Sequence, residues 1–323
     1  MKKSHPLFGV LLTFGYVLCS VFAYITTKHV FLTDPSISPI NAMFWGFFGA
    51  TVLGGIFIGS HSKERKLVQK EWKKHKKLIL SISLLTSLGV ILWGWSLQIA
   101  SAGTVGLIGR ADVLFSLALG SIFLGERFSR NTIIGALIAL GGLCLVVNVP
   151  NEISLFAVGI VLLMRFLYSM QSFLVKKSGQ TLRGIPFTFW RMVIITLVLF
   201  ITAIATGTLY IPPIFLLGII FSSQIFGAFI GRVLYFEAHK YLGIGHINLL
   251  SLSQPVLLLV GTWLLLNEPM PLQKIIGGGI LLLGLTLIVL EKTKPHQKRF
   301  SLKRIFATLR PKKDVIENPI DLT

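Results

Sequence analysis

Four arginines, Arg110, Arg165, Arg191 and Arg232, stand inside apolar stretches of this 323-residue chain, and Asp112 is the one acidic residue set deep beside them. A charge in hydrocarbon is costly, so such residues face a bundle interior or a water-filled path. The chemistry open to them is electrostatic: compensating a carboxylate or other anion that has left bulk water. Arg165 is the strongest candidate, because it lies too far from either end of its stretch to snorkel. Tyr168, Ser169 and Ser172 follow it at i+3, i+4 and i+7 and share its helix face. A place on a path through the membrane is weighed against a structural pairing with Asp112 or a backbone carbonyl.

Arg110 and Asp112 are two residues apart, point to roughly opposite sides of a helix, and are poor partners for each other. Asp112 is therefore expected to pair with Arg165 or Arg191, since a buried charge without a partner is costly. It is also the best candidate to carry a coupling proton, although a static salt bridge is the preferred reading. Arg191 and Arg232 lie nearer span ends, where they could snorkel, tie helices together or join a site. Gln254 precedes Pro255, which frees a backbone carbonyl, so a ligand contact there is plausible. The candidate substrate-binding set is thus Arg165, Arg110, Asp112, Arg191, Tyr168 and Gln254. Thr13, Tyr16, Ser20, Tyr24 and Thr27 form a second polar stripe that could line the same cavity. Trp93, Trp95 and Tyr235 are read as cavity walls, interfacial anchors or packing.

These residues need helices to hold them. The chain is 53% hydrophobic and 13% charged, with mean hydropathy +0.78. A soluble fold of this size cannot hide so much apolar surface, so the bilayer must be the solvent. Stretches of about 20 apolar residues fall at 7–27, 39–59, 78–99, 103–124, 131–149, 154–175, 185–207, 213–236, 244–266 and 272–290. The first run follows Met1-Lys2-Lys3, but it is too long for a signal peptide and has no small-x-small cleavage site, so it is read as a retained span. The predicted fold class is an all-α membrane protein of about ten transmembrane helices.

Basic residues fix the orientation. With an inside N-terminus, the inner side receives Lys2, Lys3, the basic run 61–77, Arg127, Arg130, Lys176, Lys177, Arg183, Lys240 and the tail from Lys292 to Lys313. The outer loops keep only Lys28 and Lys274. This predicts a multi-pass protein of the cell inner (cytoplasmic) membrane with both termini cytoplasmic. The net charge of +19 clusters between and after apolar runs, so it argues against a nucleic-acid partner. The 61–77 run and the tail read first as topology signals and solvated surface, with anionic lipid or a partner as the sharper alternative. Cys19 and Cys144 read as small packed hydrophobes.

The chain also repeats itself. LIGRADVLFSLALGSIFLGERFSRNTIIGALIALGGLCLVV (107–148) aligns without gaps on LLSLSQPVLLLVGTWLLLNEPMPLQKIIGGGILLLGLTLIVL (249–290), placing Glu126 on Glu268, Gly135 on Gly277 and Gly142 on Gly284. The expected boundaries are a first repeat at 1–149, a second at 150–291 and a basic cytoplasmic tail at 292–323. Five spans per repeat is odd, so the second copy enters upside down. Inverted repeats place a binding site near the midplane and permit alternating access.

With the span-four ending Leu124-Gly125-Glu126, its counterpart Leu266-Asn267-Glu268, the Gly-spaced span that follows each, and Pro255 in span nine, the chain resembles EamA-type members of the drug/metabolite transporter superfamily. The resemblance runs to about residue 290 and implies a ten-helix secondary transporter, without naming a substrate. The first half departs from the pattern, with Val113 in place of the proline. Glu126 and Glu268 are read as helix-end caps or loop ties. Glu237 and His246 are read as membrane-edge residues, and Gly103, Gly106 and Gly109 as a loosened outer start of span four. Gly55-x-x-x-Gly59 and Gly227-x-x-x-Gly231 are read as packing.

No metalloprotease, redox, nucleophile-elbow or phosphate-loop motif occurs, so no enzyme, cofactor or metal is expected. The leading expectation is a secondary transporter of a small organic metabolite, anionic or zwitterionic, working outward. The alternative is a lipid scramblase or flippase that engages phosphate head groups. The expected partners are a small-molecule substrate and the lipid bilayer, with a homodimer also compatible.

Overall fold

The computed structural model describes residues 6–124, 129–149, 153–178, 184–242 and 244–292. Expectations placed on Lys2, Lys3, Glu126, Arg127, Arg183 and the tail beyond 292 lie outside the described residues. Helices run in the order α1 (Pro6–Thr33), α2 (Pro39–Ser60), α3 (Ser62–Ile99), α4 (Ala102–Ile108), α5 (Ala111–Leu124), α6 (Arg130–Val147) and α7 (Leu155–Ser178). They continue with α8 (Gly184–Ala205), α9 (Ile214–Gln224), a π-helical stretch Ile225–Ile230, α10 (Gly231–Ala238), α11 (Ile244–Ser251), α12 (Ser253–Leu266) and α13 (Leu272–Lys292). Ten stretches of helix are long and apolar enough to cross a membrane. Helices that each cross a bilayer in succession must alternate in direction, so all ten are placed between two ends. One end carries the 61–77 run and is called the basic end; the other is the far end.

Pro39 occupies the first turn of α2, where its missing N–H breaks no helical bond. Pro213 takes the N-cap of α9. Large apolar side chains such as Leu84, Leu88, Leu197 and Leu264 point outward and are exposed, as a lipid-facing surface requires.

Besides the span that runs from α9 through the π-helical stretch into α10, two spans are each built from a pair of shorter helices, and their breaks fall at the same place in the repeat. α4 gives way to α5 at Gly109-Arg110, and α11 gives way to α12 at Leu252. In the gapless alignment Arg110 lies on Leu252. The second break has a plain cause, since Pro255 lacks an N–H and its ring crowds the carbonyl of Ser251. The first break has no proline. There the chain tightens into a single narrow turn, with Arg110 N donating to Leu107 O (3.0 Å) and Val113 N to Arg110 O (3.2 Å).

α6 and α13 pack backbone against backbone. A Cβ on Gly142 would overlap the Leu281 backbone nitrogen, and one on Gly284 would overlap that of Ala139. A Cβ on Gly135 would stand 2.8 Å from Gly284 O, and one on Gly277 would stand 3.1 Å from Gly142 O. The glycines matched by the repeat therefore form the seam between its two copies. Gly142→Val is expected to lower the melting temperature by roughly 3–8 °C, following an overpacking cost of about 1–3 kcal/mol. Gly141 has open space around it, so Gly141→Val should leave the midpoint in place. Thermal scans of the two variants side by side check this; equal midpoints would remove the close-packing argument.

Two expectations change here. Lys28 and Lys274 are not loop charges: they lie within α1 and α13 and are buried, 7% and 1% exposed. The 61–77 run is not a loop either, but the first part of α3. At 1.5 Å per residue the 38-residue α3 would be about 57 Å long, well beyond a hydrocarbon core of about 30 Å.

Candidate functional site: a central polar cavity

The bundle encloses a cavity of about 290 Å³ lined by residues of α1–α5 and α7–α12, while α6 and α13 contribute nothing to it among the described residues. All six candidate residues, Arg110, Asp112, Arg165, Tyr168, Arg191 and Gln254, border this one space. Arg232 joins them, and Asp112 is the only acidic residue on the wall among the described residues. Helix periodicity explains the part that α7 and α1 contribute. Arg165, Tyr168, Ser169 and Ser172 occupy one face of α7, and Tyr16, Ser20 and Tyr24 one face of α1.

The hydrogen bonds differ from expectation at the centre. Asp112 pairs with neither Arg165 nor Arg191, and its Oδ1 is buried with no hydrogen-bond partner among the described residues. The guanidiniums of Arg165 and Arg110 make their hydrogen bonds elsewhere. Arg165 Nη2 donates to Tyr24 Oη, and Arg110 Nη2 donates to Gln254 Oε1 at 2.6 Å. Gln254 in turn donates to Ser20 Oγ at 2.8 Å. Asp112 is held instead through its backbone carbonyl, which accepts from Ser169 Oγ at 3.0 Å. The Arg110–Gln254 bond joins the two helix breaks directly.

Arg165 lies flat against Gly109, where a Cβ would overlap the guanidinium. Its Cζ stands 6.0 Å from the Tyr168 ring centroid. Arg191 is 4% exposed and its Cζ lies 5.9 Å from the Phe187 ring centroid. The Nε atoms of Arg165 and Arg191 are buried without hydrogen-bond partners among the described residues. Four guanidiniums against one carboxylate make the cavity an anion-attracting space of low dielectric.

The cavity is asymmetric along the membrane normal. Its lining residues Ser116 and Ser172, toward the basic end, are exposed. Toward the far end it is closed in steps along α1. Tyr24 meets Trp93 edge to face at 5.3 Å between centroids. Thr27 Oγ1 and Ser223 Oγ share a 2.7 Å hydrogen bond. Lys28 Nζ then donates to Leu97 O and Ala100 O at 2.9 and 2.8 Å, at the end of α3.

The remaining expected residues are placed as follows. Trp93 and Tyr235 line the cavity, whereas Trp95 faces outward and is 42% exposed. Glu237 forms an exposed ion pair with Lys240, and His246 is exposed. Gly103 and Gly106 lie within α4, and Gly109 caps its end at the helix break. Each lies where a Cβ would meet a neighbour closely, such as Leu259 beside Gly103 and Leu258 beside Gly106. Gly227 and Gly231 lie against Ala23 and Cys19 of α1, while Gly59 has open space. Gln171, Gln224 and Asn248, which are absent from the expected set, also line the cavity. Their signal was available in principle, since amides inside apolar stretches seek an interior face.

A ten-span helical bundle with a polar cavity at its two helix breaks is the architecture of a membrane transporter. The profile of the EamA-like transporter family matches residues 7–148 and again residues 155–290. The chain belongs to that family. It is 25% identical to an uncharacterized transporter of Archaeoglobus fulgidus, over 59% of this chain and 69% of that one. It is 26% identical to an uncharacterized transporter of Synechocystis sp., over 75% of this chain and 72% of that one. Its fold is also that of a crystallised protein with a TM-score of 0.61 and 14% identity, over 88% of this chain and 97% of that chain.

Proposed function

We propose that this transporter is a secondary carrier of a small organic solute bearing a carboxylate or another anionic group, whether anionic or zwitterionic overall. The observation that carries the reading is the wall of the cavity: Arg110, Arg165, Arg191 and Arg232 against Asp112 alone. Arg165, with Arg110 or Arg191, compensates the solute's negative charge as water is left behind, and Tyr168 and Gln254 contact the remainder. A volume of about 290 Å³ is at the small end for ligand pockets and suits a small metabolite.

Alternating access supplies the movement. Two repeats of five spans each carry a broken helix at the same position, and exchange of their conformations would move the opening from the basic end to the far end. With the basic end cytoplasmic by the positive-inside rule, the solute enters from the cytoplasm and leaves outward across the cell membrane.

The test is a thermal-stabilisation screen of the purified protein with amino acids, carboxylates, sugar phosphates, nucleotides and hydrophobic cations. A ligand at 100 times its dissociation constant adds about 2.7 kcal/mol to the folded state, enough to move the midpoint by several degrees. Stabilisation by anionic or zwitterionic solutes is the expected result. Stabilisation by lipids or hydrophobic cations alone would overturn it and make the arginines structural or lipid-reading.

A further inference from the structure

The 61–77 run carries eight Lys and Arg residues against Glu64 and Glu71. As a topology signal it would need charge alone and no fixed shape, yet it has one. The backbone of α3 leaves helical geometry at His75 (φ −128°, ψ 16°), which separates a first segment, 62–74, from the span that follows. That segment is docked along one side. Val68, Glu71 and His75 are buried. Trp72 stacks on Trp190 of α8 at 4.4 Å between ring centroids, and Trp190 Nε1 donates to Val68 O at 2.9 Å.

The other side is cationic. Lys66, Lys70, Lys73, Lys74 and Lys77 are all exposed, and Lys66, Gln69, Lys70, Lys73 and Lys74 border one shallow concavity. Lys66 and Lys70, and Lys70 and Lys74, are like charges at i,i+4, each pair working against the helix. Glu71 is turned to the docked face, which leaves the exposed face to the lysines. Such a face is stabilised by a dense array of anions, and the segment leads directly into a membrane-length helix and docks on Trp190 in the second turn of α8.

We propose that the lysine face of residues 62–77 is a binding surface for anionic phospholipid head groups of the surrounding bilayer. Its fit rests on charge complementarity and on where the docked segment lies. Binding there bears on the cavity, because Trp190, which holds the segment, is the immediate neighbour of Arg191 on α8. Lipid on the lysines steadies the helix that delivers a guanidinium to the cavity wall. The proposal is independent of what the cavity carries.

The experiment uses the full chain in nanodiscs of phosphatidylcholine alone or mixed with phosphatidylglycerol, read by melting temperature. The expected result is a rise of about 3–5 °C in the anionic discs, lost at high salt and lost in the variant Lys66→Gln/Lys70→Gln/Lys73→Gln/Lys74→Gln. In neutral discs that variant should match the unmodified protein. A midpoint indifferent to phosphatidylglycerol, or an equal rise in the variant, overturns the proposal. So does an equal rise from inorganic phosphate in neutral discs, which would make the partner a soluble anion. Should the variant fail to fold in neutral discs, the unmodified protein still decides: a rise that survives high salt sinks the idea.

Discussion

Arg165→Gln abolishes solute-dependent stabilisation and transport while the protein still folds. Three features of the site lead to this expectation. Arg165 lies near the middle of α7, borders the cavity and presents a guanidinium whose Nε has no hydrogen-bond partner among the described residues. Truncating one partner of a buried, charge-assisted hydrogen bond costs about 2–5 kcal/mol, which weakens affinity by roughly 30- to 5,000-fold. A ligand that shifts the midpoint of the unmodified protein by several degrees would then shift that of Arg165→Gln by nothing measurable. Folding should survive, because the substitution removes a charge that no carboxylate among the described residues pairs with. Arg165→Lys separates charge from shape: it keeps the cation but loses the planar fork that lies against Gly109 and reaches Tyr24. Transport at the ordinary rate by Arg165→Gln in proteoliposomes would remove the central-site reading altogether.

The helix content and the shared cavity face of Arg165, Tyr168, Ser169 and Ser172 were legible because both follow from periodicity, whereas Arg110 and Asp112, two residues apart, both reach the cavity at a helix break. Apolar runs of bilayer length specify spans, and residues at i, i+3, i+4 and i+7 share a face whatever the tertiary packing. The break at Leu252 was foreshadowed by Pro255, a local cause. The break at Gly109-Arg110 has no proline behind it, since Val113 stands where its partner has one; its signal was the run of Gly103, Gly106 and Gly109, and the Arg165 guanidinium lies over Gly109. The partner of Asp112 was misjudged for a different reason. Spacing says which residues share a helix face, but the choice between Asp112, Tyr24 and Gln254 as mates for two arginines is made by angstrom-scale placement of four spans. Lys28 was misplaced because a lysine just past an apolar run looks like a loop charge, and Lys274 because a lysine at the very start of its run, 272–290, does too. Here α1 extends past its run, and both side chains turn inward onto backbone carbonyls and a serine.

Removing the Glu268 carboxylate should have the largest effect on stability, and on which end of the protein is shut. Glu268 is 7% exposed and accepts from Ala102 N at 2.7 Å and Gly103 N at 3.1 Å, the first amides of α4. A carboxylate there satisfies two donors that the helix cannot use and meets the positive end of its dipole. The same group lies within the electrostatic reach of Lys28, which holds the end of α3. Lys274 Nζ donates to Ser101 Oγ, the N-cap of α4, at 3.2 Å. One carboxylate thus ties the loop after α12 to α4, in a cluster that also holds α1, α3 and α13. Glu268→Ala orphans two amides and leaves buried ammonium groups short of negative charge. Breaking such an arrangement costs about 3–5 kcal/mol, or roughly 6–15 °C in melting temperature. Glu268→Gln should lose less, because an amide oxygen still accepts one N–H. The effect on closure separates this tie from a merely stabilising one. Thr27 lies between the Tyr24–Trp93 pair and Lys28, so Thr27→Cys, in a background without Cys19 and Cys144, should resist a membrane-impermeant maleimide added from the far end. Combined with Glu268→Gln it should react severalfold faster from that side. Unchanged labelling together with an unchanged midpoint would show that the far end is held shut by the aromatic pair and the Thr27–Ser223 bond alone.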